Sequence, residues 1–121
     1  MKTVYVAGAM QADNILDVLN NIHKGINVAG KVAQAGYAPF VPHFDIEFAK
    51  QGIKLPMNFY YDYTMEFLKR CDYVVVVDGY ENSKGVLEEL QKANELKIPV
   101  FYNITDLINY DWFEVQNENS L

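Results

Sequence analysis

The fold class this sequence predicts is an α/β three-layer sandwich built on a mostly parallel sheet of four or five strands. Three observations predict it. The run Tyr73-Val74-Val75-Val76-Val77 is apolar without alternation, the mark of a strand buried on both faces. Other short β-type runs are separated from it by stretches whose apolar residues recur at three and four, which is the helical period. A length of 121 residues, 50% hydrophobic and 21% charged, suits a single domain over 1–121 with one core, and neither a disordered tail nor a coiled coil.

Each element has its own local reason. Thr3–Ala7 reads as the first strand. Ile22, Ile26, Ala29, Val32 and Ala33 make a helical face that Gly36 closes. Gly25 and Gly30 weaken that helix, and Asp13–Asn21 is expected as a separate turn or short helix. Tyr37–Val41 is the second strand, and Pro39 puts it near an edge. Residues 43–57, bounded by Pro42 and Pro56, read as an irregular excursion with room for one helical turn. Tyr60, Tyr63, Met65, Phe67 and Leu68 predict a second helix ending before Cys71. Asn82-Ser83 opens a third, carried by Val86, Leu87, Leu90 and Ala93, and Pro99–Tyr102 is the last strand. Beyond Tyr102 the chain is aromatic and acidic without clean periodicity. There Trp112 and Phe113 are expected to dock on the body or on a partner subunit.

Strand–helix alternation implies right-handed crossovers and a flavodoxin/Rossmann-like arrangement. Ligands of such sheets bind beyond the carboxyl ends of the strands. Three loops are thereby named: Gly8–Asn14, Pro42–Phe44 and Asp78–Gly85.

Composition removes several function classes. A net charge of −6, with ten scattered Lys and Arg, argues against binding a nucleic acid polymer, which needs a basic stripe. Two histidines and one cysteine far apart give no metal-ligand spacing. The lone Cys71 fits a reducing, cytoplasmic setting. The longest apolar run, five residues, is far short of a membrane span, and the N-terminus does not read as a signal peptide. The loop Gly8-Ala9-Met10-Gln11-Ala12-Asp13 is not the dinucleotide fingerprint. No phosphate P-loop or nucleophile elbow occurs either. No cofactor is implied, and a small-molecule ligand is expected.

The most informative segment is Ser83-Lys84-Gly85-Val86-Leu87-Glu88-Glu89. Ser83 stands at an N-cap position. Gly85 in the first turn costs about 1 kcal/mol of helix stability relative to Ala, and gives a ligand room to approach the backbone. Glu89 lies on the same face as Val86 and Ala93, so it is expected to point into the pocket at the strand ends. The helix dipole is expected to hold it ionised, as a nucleophile requires. Read on spacing alone, Glu88 and Glu89 are equally a solvated pair near a helix start.

Four stretches together resemble the nucleoside 2-deoxyribosyltransferase superfamily, including its small 2′-deoxynucleoside 5′-phosphate N-hydrolase members. They are Val4–Met10, Gly36–His43, Cys71–Val77 and Ser83–Glu89, with Ala93 and Pro99-Val100 following. The resemblance implies that Glu89 is the nucleophile, that Tyr5 helps to hold it, and that Ser83 and Gly85 border the sugar or phosphate. It also implies that Gly8, Ala9 and Met10 line the sugar or base, with His43 beside the pocket. Where phosphohydrolase relatives carry a serine and an arginine in the first loop, this chain has Ala9 and Gln11. Where a second catalytic aspartate is expected, it has Thr64, which leaves Asp62 as the candidate acid. The family also implies a homodimer or higher homo-oligomer.

The activity so implied is cleavage or transfer of the N-glycosidic bond of a 2′-deoxynucleoside or its 5′-monophosphate. Two other readings stand beside it: a non-catalytic nucleotide-binding protein that retains the pocket, and hydrolysis of another N-glycoside. Several residues have plain structural readings as well. Tyr5 suits a half-buried strand aromatic and His43 a strand-end cap. Phe59–Tyr63 suits a subunit interface or a base-stacking surface.

Overall fold

The computed structural model describes residues 1–119. Its sheet has four strands, all parallel, in the order β2-β1-β3-β4. These are β1 (Thr3–Ala7), β2 (Ala38–Phe40), β3 (Tyr73–Val76) and β4 (Val100–Phe101). Five helices accompany them: α1 (Ile15–Gln34), α2 (Ile46–Lys50), α3 (Met57–Leu68), α4 (Lys84–Glu95) and α5 (Ile104–Asn119). Pro42–Asp45 forms a 3₁₀ turn directly before α2. Strand order reverses between β1 and β3, so the crevice of a doubly wound sheet opens there.

Period-two alternation along the strands feeds two hydrophobic layers. Val4, Val6, Tyr73 and Val75 face Ala29 and Val32 of α1 and Leu107 of α5. Tyr5, Ala7, Val74 and Val76 face Met65 and Leu68 of α3 and Val86 and Ala93 of α4. Burial on both sides explains why β3 is nearly all valine. Each valine so buried contributes about 1.5–3 kcal/mol.

Two segments differ from the sequence expectation. Residues 15–34 form one continuous helix, with no break at Asn21. The Asn14 side chain caps it, accepting from the Asp17 backbone N–H at 2.9 Å. Ile15, Leu16 and Leu19 in its first half are exposed, so the buried-face period that marks its second half does not extend to them. Gly25 is no weakness in context: a Cβ there would fall 2.5 Å from the His43 ring. The helix ends where expected, and Gly36 takes φ +93° just after it.

The tail is the second difference. Residues 104–119 form a 16-residue helix, started by Asn103, which accepts from the Asp106 N–H at 2.8 Å. Its period is faint because it buries little beyond Leu107. Trp112 and Phe113 are exposed and do not dock on the body of this chain. Among the described residues no helix is long and apolar enough to cross a membrane.

Candidate active site

A cavity of about 600 Å³ lies beyond the carboxyl ends of the strands, on the α3/α4 side of the reversal point. The loop after β1 contributes Met10, Gln11 and Ala12, and α1 contributes Val18 and Ile22. Pro42, Asp45, Ile46 and Ala49 form another wall, Met57, Tyr60, Tyr61, Thr64 and Met65 of α3 a third, and Gly85 and Glu89 of α4 close it. Two of the three loops named from sequence therefore reach this cavity, as does the helix start that ends the third. Asp78 opens instead onto a separate cavity of about 430 Å³ between α1 and the start of α5.

Glu89 is the chemically unusual group. Val86 and Ala93, its neighbours on the α4 face, are fully buried, so helix geometry carries the carboxylate inward. Its Oε2 is buried and has no hydrogen-bond partner among the described residues. Burial pushes the Glu89 carboxyl up to about 7, opposed in part by the Tyr5 hydroxyl and assisted by the charge of Glu88. The expectation that the helix dipole keeps Glu89 ionised is thus corrected. Dipole stabilisation is worth about 0.3–1 kcal/mol at exposed sites and fades beyond the first turn, whereas removing a carboxylate from water outweighs it.

Tyr5 stands in the middle of the sheet, 1% exposed. Burial and the nearby Glu89 carboxylate raise its pKa, and the Thr64 side chain acts in the opposite sense. Tyr5 therefore stays a neutral phenol directed at Glu89. It meets both the Glu89 carboxyl and the β2 aromatic Phe40, the latter at a ring separation of 5.5 Å.

The other predicted site residues divide. Met10 and Gly85 line the cavity, and a Cβ on Gly85 would meet nothing within 4 Å. Ser83 does not line it; its hydroxyl caps α4 by accepting from the Val86 N–H at 3.3 Å. Gly8 and Ala9 lie behind the lining. A Cβ on Gly8 would sit 2.8 Å from Val77 and 3.0 Å from His43. His43 is fully buried, and among the described residues neither ring nitrogen has a partner at full hydrogen-bond geometry. Burial lowers its pKa, offset in part by the Ala9 backbone. It serves as a packing piece between the β1 loop and Gly25 rather than as part of the cavity surface.

Asp62 is exposed and absent from the cavity wall, because α3 turns Tyr60, Tyr61, Thr64 and Met65 inward instead. The carboxyl that does reach the wall is Asp45, which sequence reasoning missed. It lies in the segment read as irregular, and no local spacing ties it to Glu89. Asp45 accepts a hydrogen bond on Oδ1 from the Tyr63 hydroxyl. Burial raises its pKa, and that bond opposes the rise. Of the Phe59–Tyr63 stretch, Tyr60 and Tyr61 face the cavity, while Phe59 stacks on Tyr63 at 5.5 Å. Among the described residues no three His, Cys, Asp or Glu side chains converge as metal ligands would.

Comparison with known proteins places the fold. A solved 2-deoxyribosyltransferase from the psychrotolerant bacterium Bacillus psychrosaccharolyticus superposes with a TM-score of 0.55, at 20% identity, over 81% of this chain and 69% of that one. No curated protein matches. At that identity the likeness concerns the fold, a parallel sheet with helices on both faces. Residues 2–102 match the model of a domain of unknown function, DUF4406, and the chain belongs to that family.

Proposed function

We propose that this protein cleaves or transfers the N-glycosidic bond of a 2′-deoxynucleoside, with Glu89 as nucleophile. The observation that carries the reading is the buried Glu89 Oε2 without a partner on the wall of an otherwise largely apolar cavity. An unsatisfied buried carboxyl is costly, and it accumulates where chemistry uses it. The fold shared with a 2-deoxyribosyltransferase supports the same reaction class.

The chemistry follows the double displacement of a retaining glycosidase. A 2′-deoxy sugar reaches an oxocarbenium-like centre readily. One Glu89 oxygen bonds to C1′ as the C1′–N bond breaks and its electron pair leaves with the base. Water then opens the glycosyl ester to free sugar, or a second base opens it to a new nucleoside, and either returns the Glu89 carboxylate. Tyr5 orients the attacking carboxylate through its hydroxyl. Tyr60 and Tyr61 offer aromatic surface for the base.

The lining also selects among substrates. It contains Asp45 and Glu89 but no Lys, Arg or His, so a 5′-phosphate would meet repulsion with no cation to hold it. Neutral nucleosides are therefore the favoured substrates over the monophosphates.

The test is chromatographic: free base released from the four deoxynucleosides and their monophosphates, with and without a second base. Wild type should release or exchange base from the nucleosides. Glu89→Ala should lose at least about 10³-fold of that rate. Tight ligand binding without any product, at an affinity indifferent to Glu89→Gln, would instead identify a binding protein.

A further inference from the structure

The leaving base needs a proton, and neither position suggested by the sequence can give one. Asp62 lies in solvent. Thr64 is an alcohol whose hydroxyl bonds the Tyr60 and Tyr61 carbonyls at 2.8 and 3.0 Å. We propose that Asp45 is the general acid that protonates the departing base and the general base that then activates the acceptor. This rests on the glycosyl-cleaving reading of the cavity.

Four observations support the assignment. Asp45 and Glu89 are the two carboxyls on the wall of the same cavity. Asp45 sits at the junction of the 3₁₀ turn and α2, so backbone structure on both sides fixes its place. The Tyr63 hydroxyl bonds Oδ1, which sets the carboxyl plane. The Tyr63 bond occupies Oδ1, which leaves Oδ2 as the oxygen to carry a proton.

Two carboxyls on the wall of one cavity can divide the roles of nucleophile and acid between them. Turnover draws on the protonation state in which Asp45 Oδ2 carries the proton and Glu89 is ionised, the reverse of the state that burial of Glu89 favours. As Glu89 bonds to C1′ and the C1′–N electron pair moves onto the base, the Asp45 proton passes to a base nitrogen, and Asp45 becomes the carboxylate. In the second step Asp45 takes a proton from water, or from the incoming base, as that acceptor bonds to C1′. Glu89 then departs with its electron pair. Both carboxyls return to their starting states.

Leaving-group chemistry separates this role from a structural one. An N7-methylated purine deoxynucleoside carries its positive charge already and releases its base without an acid. Cleavage of this compound and of the unmethylated deoxynucleosides would be compared for wild type, Asp45→Asn, Asp45→Ser and Glu89→Ala. In kcat/KM, which reports the bond-breaking first step, the two Asp45 variants should lose about 10²–10⁴-fold on unmethylated substrates and less than about threefold on the methylated one. Retained cleavage of the methylated compound doubles as proof of folding, and two replacements of different size guard against a misfolded variant. Equal losses on both substrates, or no loss on either, overturn the Asp45 assignment while Glu89→Ala still abolishes turnover and the nucleophile reading stands. If wild type cleaves neither compound, that reading fails and the assignment falls with it.

Discussion

The two ends of the sheet treat a carboxylate in opposite ways. At the amino ends of the strands, Asp111 of α5 accepts from the Lys2 ammonium at 2.5 Å, the Tyr73 hydroxyl at 2.7 Å and the Tyr37 hydroxyl at 2.8 Å. Burial alone would push its pKa up, but the three donors outweigh it and hold the carboxyl below its ordinary value. At the carboxyl ends, Glu89 has the neutral phenol of Tyr5 and an oxygen with no partner, and burial lifts it to about 7. One end is built to satisfy charge and the other to leave it available. The difference separates a group that fastens a helix to the sheet from a carboxyl that burial leaves with an unused oxygen.

Thermal stability against pH should expose that contrast most strongly. Because the folded pKa of Glu89 is raised, the folded state binds the proton more tightly than the unfolded one. The favourable contribution is complete below about pH 4.5 and disappears as pH rises to 7. Relative to Glu89→Gln, wild type should lose on the order of 3 kcal/mol across that window. A difference between the two that stays flat with pH would mean that Glu89 is solvated. Asp111 has the opposite sign: its depressed folded pKa stabilises above about pH 3.8, and that support is lost as pH falls further.

A smaller effect should come from Asp111→Asn, which weakens three charge-assisted hydrogen bonds. We expect a loss of about 2 kcal/mol in denaturant unfolding, with cleavage per folded molecule unchanged. A drop in turnover at equal folded fraction would break the division between the two ends. The smallest effect expected is from Gly85→Ala. It should stabilise α4 by about 0.5–1 kcal/mol while raising KM severalfold and sparing kcat, since the added methyl enters the cavity. An unchanged KM would remove Gly85 from the substrate surface.

Local patterns carried much of this architecture. Thr3–Ala7 and the valine strand are legible because burial on both faces forces apolar β-formers. The α4 start is legible because Ser83 has the chemistry of a cap. The inward aim of Glu89 follows from the three-and-four spacing that also buries Val86 and Ala93. The α5 helix was not legible, since a helix that buries little beyond Leu107 has almost no hydrophobic period to read.

The strands, the cap of α4 and the face on which Glu89 stands follow from the chain alone, because they depend on side chains only a few residues apart. Tertiary structure decided which groups meet there. It seated His43 against Gly25 instead of on the cavity, turned Asp62 to solvent, and brought Asp45 to the wall that Glu89 shares. It also set the proton affinity of Glu89, because desolvation depends on everything that surrounds a carboxyl and not on its neighbours in the chain.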